Sequence, residues 1–574
     1  MHLIAHYMKE HWQKIAGGIS LKTLGSLCEL MIPYILEHII DRVVPTKDMK
    51  LVILWGLGMI LAALIVRTLN VHANYNAVAV GRDCIRKLRY DLFNKTVYLS
   101  GSNFDSFGLP SITSRMTSDS YNVQNFIVSV QAMGIRAPVM LLGGIVVTMV
   151  MDPALSAILC VMVPVLGAII YTVSRKGIPL YTGVQNNVDN IVRIMRENIQ
   201  GIRVVKALSK EDYEKNRYDR ANREMTEADI KAGITMSMPG PIMQLFLNIG
   251  LTFVVIVGAK RVNAGIIEPG VILAFLTYFN MILQGVMGLN RIFMMMSKAT
   301  ASADRIEAIL KVEDDQPVLE HSDSVCPDPG AHIVFDHVNF GYNRSAQEQS
   351  ISDINFTINP GESLGIIGAT GSGKTTILNL LMRFYDCNEG HVYINGKDVR
   401  TYDKKELRSK FGIALQNDTI FNDTLGNNIS FGRDLSNDEI GYAARIAMLA
   451  DYVDGLDDGF DHMADIKGAN LSGGQKQRTF IARAVADNPE ILIFDDSSSA
   501  LDYKTDASLR KSLQTGFKDT TLIMVAQRVS SIMNLTNILV LEDGRMIGYG
   551  DHKHLLETCP MYREIYESQM GDIA

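Results

Sequence analysis

Long apolar stretches alternate with polar segments through the first three hundred positions of the chain. Six of these stretches could each cross a bilayer as a helix, which needs roughly 20 mainly apolar residues. They lie at about 15–40, 51–78, 126–151, 154–175, 238–260 and 270–296. A buried helix of a soluble protein could mimic one such stretch, but six in succession are hard to explain in that way. The pattern therefore predicts six membrane spans and a lipid bilayer as the surroundings of the first half.

The polar segments between the spans indicate the side of the membrane on which they lie. Lys and Arg concentrate between spans two and three (Arg82, Arg86, Lys87, Arg89, Lys95, Arg115) and between spans four and five (Arg175, Lys176, Arg203, Lys206, Lys210, Lys231). The turn at 151–153 has neither residue type. Because Lys and Arg favour the cytoplasmic side, both long segments and both termini are predicted to be cytoplasmic. Their polar helical periodicity predicts stalks that continue the spans, with a pair of independent loop domains as the alternative.

Some predicted spans carry charged residues, which are costly at membrane depth and tend to face a bundle interior or a wet cavity. Glu29 lies in the first span, four residues before Pro33, while Arg67 and Arg136 lie in the second and third. One interpretation is that Glu29 lines a substrate cavity and attracts cationic substrates. The alternative is a structural ion pair with a neighbouring arginine.

Length and charge narrow the class of protein. The 574 residues exceed the usual size of one domain. The formal net charge is −7, so no basic excess is present to neutralise phosphates and a nucleic-acid partner is not expected. Beyond a charged linker, apolar alternation begins at Ile333. We therefore predict a membrane domain at 1–310, a linker at 311–330 and a soluble α/β domain at 331–574.

The soluble domain contains a glycine-rich loop between a predicted strand, SLGIIG, and a predicted helix, TILNLLMRFY. This strand–loop–helix context is the one that a phosphate-binding loop requires. The loop and the first helical turn supply Gly368, Ala369, Thr370, Gly371, Ser372, Gly373, Lys374, Thr375 and Thr376. Glycines let backbone N–H groups close around phosphates, and the helix N-terminus favours negative charge. Lys374 can reach the outer phosphates, and the Thr375 hydroxyl can ligate Mg²⁺.

A second metal-binding acid is expected at the end of another apolar strand. Asp495 follows the apolar run ILIF and fills that position. ATP and Mg²⁺ are therefore the predicted cofactors. Phosphate loops occur in many unrelated motors, so they do not by themselves define the function.

A further motif, LSGGQ at 471–475, narrows the function. With Ser472, Gly473, Gly474 and Gln475 the chain resembles the ATP-binding cassette (ABC) transporters, whose signature this is. The resemblance continues through most of the chain, including IRKLRYDLFNK, GIRVVKALSKEDYE and the tail YREIYESQ. It implies six transmembrane helices fused to one α/β cassette, as in a bacterial exporter half in the plasma membrane, with the cassette in the cytoplasm.

The resemblance also assigns roles to individual residues. Tyr342 stands where an aromatic ring stacks on adenine, and Gln416 where a glutamine reaches the metal and couples to the membrane half. The run from Ser499 to Asp502 matches the loop that crosses the dimer interface. By position, the helices that couple the cassettes to the spans are expected near 109–115 and 200–210.

Two catalytic positions depart from the family pattern. The family has a glutamate after the metal-binding aspartate and a downstream histidine at the γ-phosphate, where this chain has Asp496 and Gln527. Aspartate is one methylene shorter, which can take a general base out of hydrogen-bonding reach. Glutamine can donate a hydrogen bond but cannot relay a proton. The chain's own site is therefore expected to hydrolyse ATP slowly.

An intact LSGGQ beside a weakened site resembles the degenerate subunit of heterodimeric multidrug exporters. The expected partner is a second half-transporter with the catalytic Glu and His, and the expected cargo is a hydrophobic or amphipathic compound, a drug or a lipid. A dedicated lipid or peptide exporter and a homodimer remain alternatives. An ATP-gated channel or sensor is the alternative of another class.

Overall fold

A computed structural model describes residues 1–322, 324–342, 349–416, 418–497 and 501–571. Its contacts divide the chain into two compact units. The first combines Met1–Tyr98 with Leu109–Val312, and the second combines Leu99–Gly108 with the chain from Glu313 onward. Each unit is described by itself below.

The chain up to residue 310 is helical. Its helices are α1 (His2–Lys9), α2 (Trp12–His38), α3 (Met49–Val97), α4 (Gly101–Phe107), α5 (Leu109–Ser114), α6 (Ser120–Pro138), α7 (Gly144–Met151), α8 (Pro153–Gln200), α9 (Ile202–Ala207), α10 (Glu211–Ser237), α11 (Pro239–Asn263) and α12 (Pro269–Leu310). All except α4 belong to the first unit. Single π-helical turns join α5 to α6 and α6 to α7 without a break in the helix.

Six continuous helical stretches of the described chain are long and apolar enough to cross a membrane. They are Trp12–Thr46, Met49–Val97, Leu109–Met151, Pro153–Gln200, Glu211–Asn263 and Pro269–Leu310. Each of the six predicted spans lies inside one of them, so the six-span prediction is confirmed.

The longest helices extend well beyond the thickness of a bilayer. Helices α3 and α8 have 49 and 48 residues. At 1.5 Å per residue each is about 70 Å long, roughly twice the 30 Å hydrocarbon core. The polar half of α8 packs along α10, where Asn198 donates to Glu214 at 2.9 Å. The polar segments are therefore helical stalks, and the alternative of separate loop domains is wrong.

Glu29 has an arginine partner inside the first unit. Arg136 on α6 donates to its two carboxylate oxygens, at 2.7 Å from Nη2 and 3.2 Å from Nε. Nearby on α2, buried Lys22 donates to Asn74 at 3.0 Å. The charge of Glu29 is thus neutralised within the bundle. This contact supports the structural pair, and the cavity role of Glu29 stays a prediction.

The second unit contains two β-sheets. Its strands are β1 (Ile333–Phe340), β2 (Ile351–Ile358), β3 (Ser363–Gly368), β4 (Glu389–Ile394), β5 (Lys397–Asp398), β6 (Phe411–Ala414), β7 (Ile491–Asp495), β8 (Thr521–Val525), β9 (Asn537–Glu542) and β10 (Arg545–Gly550). The antiparallel sheet has the order β2-β1-β4-β5, and the larger sheet has the order β10-β9-β3-β8-β7-β6. From β9 to β6 the larger sheet is parallel. All five residues of β7 are buried, as is usual for a parallel strand with both faces covered.

Helices surround these sheets. They are α13 (Lys374–Leu381), α14 (Lys404–Ser409), α15 (Leu425–Ser430), α16 (Asn437–Ile446), α17 (Ala450–Val453), α18 (Gly473–Val485), α19 (Tyr503–Gly516), α20 (Val529–Ile532), α21 (His552–Thr558) and α22 (Pro560–Met570). The predicted combination of a membrane α-helical domain with an α/β domain is confirmed.

Helix α4 packs on the α/β domain within the second unit. The Gly101 N–H donates to the Phe384 carbonyl at 3.3 Å, and the Tyr385 hydroxyl donates to Asp105 at 2.6 Å. A Cβ at position 101 would lie 2.8 Å from that carbonyl oxygen, so glycine permits the approach. A coupling helix was expected near 109–115, and the observed contact is made slightly earlier in the chain, by Gly101–Phe107. The second coupling helix, near 200–210, stays a prediction.

The loop that receives α4 is held by an arginine that is only 1% exposed. Arg383 donates to Asp386 at 2.9 Å, to the Arg400 carbonyl at 3.1 Å and to the Pro317 carbonyl at 2.7 Å. Arg383→Ala removes a buried guanidinium together with its ion pair to Asp386 and its hydrogen bonds to two backbone carbonyls. We expect the variant to lose about 3–5 kcal/mol of unfolding free energy. Calorimetry of the full chain in lipid measures the loss, and exposed Arg445→Ala is the control; equal losses in both variants contradict the prediction.

Candidate functional site

The phosphate-binding loop runs from the end of β3 to the start of α13. Gly371 and Gly373 have φ angles of 86° and 98°, a left-handed conformation that favours glycine. A Cβ on Gly373 would also lie 2.5 Å from the Ile351 side chain. The Lys374 ammonium donates to the carbonyls of Gly368 and Ala369 at 2.9 and 2.8 Å, which curls the loop around it. Burial lowers the pKa of Lys374, while Asp495 and Asp496 raise it.

A cleft of about 310 Å³ opens beside this loop. It is lined by Tyr342, Ser350, Thr370, Gly371, Gly373, Lys374, Thr375, Thr376, Gln416, Asp495, Asp496, Val525 and Gln527. The lining converges because β3, β6, β7 and β8 are parallel neighbours whose carboxyl ends meet at one edge of the sheet, where α/β proteins bind ligands. Most of the predicted nucleotide-site residues are therefore neighbours, although they are up to 185 positions apart between Tyr342 and Gln527 (527 − 342).

The remaining loop residues lie next to the lining. Gly368 and Ala369 supply the carbonyls that hold Lys374. Ser372 is 3% exposed, and its hydroxyl is buried with no partner in the described part of the chain. An unpaired buried hydroxyl in a phosphate loop is suited to a polar ligand.

Oxygen donors suited to a divalent cation meet at the floor of the cleft. The Thr375 hydroxyl donates to Asp495 at 3.3 Å, and Gln416 belongs to the same lining. Burial raises the pKa of Asp495 and Asp496 raises it further, while Thr375 and Lys374 oppose the shift. Hydroxyl, amide and carboxylate oxygens are the ligands that Mg²⁺ takes beside phosphates, so this set fits the ion.

Asp496 and Gln527 are joined directly. The Gln527 amide nitrogen donates to the Asp496 carboxylate at 3.0 Å. Asp496 has a φ angle of 50°, and its N–H donates to the Val525 carbonyl at 2.9 Å. Burial raises the pKa of Asp496, while Lys374 and Arg528 lower it. The sequence placed both residues in the site but did not reveal this hydrogen bond.

Tyr342 stands at the mouth of the cleft with 49% of its surface exposed. Asn379 donates to its hydroxyl at 3.2 Å. The rings of Phe340 and Tyr385 meet it edge-on, with centroids 4.9 and 5.1 Å away. About half of the Tyr342 surface is therefore accessible among the described residues, which leaves room for contact with a planar ligand. Sequence reasoning missed Tyr385, which also binds Asp105 of α4.

The LSGGQ residues lie outside the lining of this cleft. Ser472 and Gln475 cap α18 reciprocally: the Ser472 N–H donates to the Gln475 side chain at 2.7 Å, and the Gln475 N–H donates to Ser472 Oγ at 3.3 Å. Gly473 and Gly474 form the first turn. Ser499 and Ala500 lie outside the described residues, whereas Asp502 caps α19.

Comparison with known proteins shows the family. Residues 15–287 match the ABC transporter transmembrane region, and residues 351–499 match the ABC transporter cassette. An uncharacterized ABC transporter ATP-binding protein, YfiB of Bacillus subtilis (strain 168), is 34% identical over 97% of this chain and 96% of its own length. The chain belongs to the ABC transporter family.

Other similar proteins refine this assignment. An ATP-dependent lipid A-core flippase of Methylobacillus flagellatus is 30% identical over 87% of this chain and 84% of its own length. The structure of a bacterial Atm1-family ABC exporter with ATP bound superposes with a TM-score of 0.81, at 24% identity over 98% of this chain and 99% of that one. It supports the fold alone.

This ABC protein has the organisation of a half-transporter, with a transmembrane domain fused to one cassette. Its described residues contain six helices that could span a membrane, and its family implies a dimer in the membrane whose cassettes bind ATP and couple its hydrolysis to transport.

Proposed function

We propose that this chain is the degenerate-site half of a heterodimeric exporter of hydrophobic or amphipathic compounds. The observation that carries the proposal is the Asp496–Gln527 pair at the position where an ABC site activates water. In this view its own site holds ATP for long periods while the partner's site turns over. ATP closes the cassettes, the closure reorients the spans, and hydrolysis resets them.

Nucleotide binding is assigned to the cleft beside the phosphate loop. The adenine stacks on Tyr342, a contact of roughly 1–3 kcal/mol for base–aromatic pairs. The backbone N–H groups of the loop surround the phosphates, and Lys374 donates to the outer ones once they replace its carbonyl partners. Thr375, Asp495 and Gln416 hold Mg²⁺, which neutralises phosphate charge when bound.

Slow hydrolysis follows from the water-activating pair. The carboxylate of Asp496 ends about 1.5 Å short of where a glutamate would place it, the length of one carbon–carbon bond. The hydrogen bond from Gln527 can orient that carboxylate, but an amide cannot accept a proton at neutral pH and therefore cannot relay one. Base and relay are therefore both weak, whereas the phosphate-binding residues keep their full chemistry.

The partner's site uses the signature of this chain. Ser472 and Gly473 are exposed at the N-terminus of the 13-residue helix α18. Such an N-terminus offers N–H groups and partial positive charge to an anion, here the γ-phosphate held by the partner's loop. The partner contributes the catalytic Glu and His that this chain lacks.

Location and cargo follow from charge and from the relatives. The Lys and Arg bias of the stalks supports a cytoplasmic cassette and cytoplasmic termini, with the spans in a bacterial plasma membrane. Relatives named lipid A-core flippase support an amphipathic, lipid-like cargo. The Glu29–Arg136 pair balances the charge that favoured cationic cargo, which also supports an uncharged or amphipathic compound.

ATPase activity in lipid tests the proposal. We compare the purified chain alone, the chain with the half-transporter encoded beside it, and the same pair carrying Asp496→Asn. The heterodimer is supported if the chain alone hydrolyses ATP slowly, the pair hydrolyses it fast, and the pair carrying Asp496→Asn keeps that activity. A chain that is fast alone and is inactivated by Asp496→Asn is a homodimeric exporter with a working aspartate.

The contact of α4 with the cassette gives a prediction about coupling. Burial raises the pKa of Tyr385, and the hydrogen bond to Asp105 adds to this shift. Tyr385→Phe removes a hydrogen bond to a charged group, typically about 1.5–3 kcal/mol. We expect cargo stimulation of the ATPase to fall about tenfold while ATP affinity stays within about twofold.

Tyr402→Phe, which loses a 2.9 Å hydrogen bond to the Ile394 carbonyl inside the cassette, is the matched control. Equal stimulation in both variants contradicts the prediction.

A further inference from the structure

The C-terminal helix α22 contacts the loop that carries Gln527. The Val529 N–H donates to the side-chain oxygen of Gln569 at 2.8 Å. The side-chain nitrogen of Gln569 donates to the Gln527 carbonyl, also at 2.8 Å. One amide therefore binds the backbone on both sides of Arg528, at the turn between β8 and α20.

The residue held by this double contact, Gln527, also binds the carboxylate of Asp496. The Gln527 side chain donates to Asp496 at 3.0 Å. Three residues from distant parts of the chain thus form one chain of hydrogen bonds, from Gln569 through the backbone of Gln527 to Asp496. Val529 is the first residue of α20, whose N–H has no partner within its own helix. Gln569 supplies that partner, so α20 is capped by a remote side chain.

Helix α22 is itself firmly held. Tyr562 is fully buried, and a hydrogen bond of 2.7 Å joins its hydroxyl to His552 Nδ1. A side chain on an anchored helix with both ends of its amide engaged can hold the loop in one conformation.

We propose that Gln569 is a positioning residue for ATP hydrolysis in this cassette. It does not reach the nucleotide cleft, but it sets the backbone from which Gln527 meets Asp496. The inference rests on the proposed function only in taking Gln527 and Asp496 as the residues that face the γ-phosphate. It predicts that loss of the double contact slows the hydrolytic step and spares ATP binding, because Lys374 and Tyr342 do not depend on it.

Single-turnover hydrolysis of radiolabelled ATP by the full chain in lipid tests this role, since it follows slow sites as well as fast ones. For Gln569→Ala we expect a rate about tenfold lower with ATP affinity within twofold. Gln569→Glu is nearly isosteric and keeps the acceptor for Val529, but it has no N–H for the Gln527 carbonyl. We expect Gln569→Glu to hydrolyse ATP as slowly as the alanine variant. If Gln569 acted only by filling space, Gln569→Glu would keep the wild-type rate. Ser568→Ala, on the same exposed turn, is the control.

A second comparison separates positioning from general damage to the fold. In a Gln527→Ala background, Gln569→Ala is expected to slow hydrolysis by less than twofold further, because its effect passes through Gln527. Backbone exchange at Val529, measured by hydrogen–deuterium exchange, is expected to quicken in Gln569→Ala. Unchanged hydrolysis in Gln569→Ala, rescue by Gln569→Glu or full additivity with Gln527→Ala would overturn the proposal.

The test of Gln569 does not depend on whether the native chain hydrolyses ATP slowly, because it compares the rate of Gln569→Ala with that of wild type. A native chain that hydrolyses ATP quickly removes the degenerate-site proposal but leaves the ratio between Gln569→Ala and wild type measurable. A slow native chain with no effect of Gln569→Ala removes the positioning role and leaves the degenerate site.

Discussion

Replacing Asp496 by Glu together with Gln527 by His is expected to raise ATP hydrolysis at this chain's own site about a hundredfold, because a positioned general base typically contributes 10²–10⁴. The longer carboxylate recovers the reach that the aspartate lacks. The imidazole replaces an amide that donates to the carboxylate at 3.0 Å but cannot carry a proton. The phosphate loop needs no change, since Lys374 and Thr375 already lie in the cleft.

Single-turnover hydrolysis by the purified chain in lipid measures this gain. Each single substitution is expected to give less than the pair, since base and relay act on the same water. Asp519→Glu, the same chemical change at an exposed position of the cassette, is the control and is expected to have no effect. A double variant no faster than wild type would show that something other than these two side chains limits the site.

Local sequence patterns were sufficient to predict the spans, the strands named below and the position of the nucleotide cleft. The predicted strand at Ile333 coincides with β1, and the strand before the phosphate loop coincides with β3. A membrane span can be recognised from the length of a single apolar stretch. The phosphate loop lies at the edge of the sheet because it follows the carboxyl end of a strand and precedes a helix. Neither requires knowledge of distant contacts.

Contacts between distant segments could not be predicted in this way. Glu29 and Arg136 are 107 positions apart, and Asp105 and Tyr385 are 280 apart. No periodicity connects such pairs. The segment that binds the cassette was therefore expected at 109–115, and the contact of Gln569 with the loop of Gln527 was not expected at all.

The nucleotide cleft and the LSGGQ turn of the cassette differ in how closely they keep the family pattern. The cleft has Asp496 and Gln527 where the family pattern has Glu and His, whereas the LSGGQ turn keeps its reciprocal cap and its exposed helix N-terminus. A chain that only bound ATP for its own purposes would have no use for the second surface. The intact signature therefore argues for a partner whose site it completes.

Ser472→Arg is accordingly expected to lower the ATPase rate of the assembled dimer at least a hundredfold, whereas Asp496→Asn is expected to leave most of it. The arginine removes the hydroxyl that accepts the Gln475 N–H and covers the helix N-terminus that receives the partner's γ-phosphate. ATP affinity at this chain's own cleft is expected to stay within twofold, since Ser472 is not in its lining. Steady-state ATPase of the dimer and nucleotide binding to the isolated chain measure the two effects.

Ser436→Arg is the matched control, because the same chain carries a second reciprocal cap at the start of α16. There the Glu439 N–H donates to Ser436 Oγ at 3.3 Å, and the Ser436 N–H donates to the Glu439 side chain at 2.7 Å. Both substitutions lose a cap worth about 1 kcal/mol, but only Ser472→Arg alters the signature. An equal loss of activity in both variants would trace the effect to helix stability. A Ser472→Arg dimer that keeps its activity would mean that the fast site does not use this chain's signature, and the heterodimer proposal would fall with it.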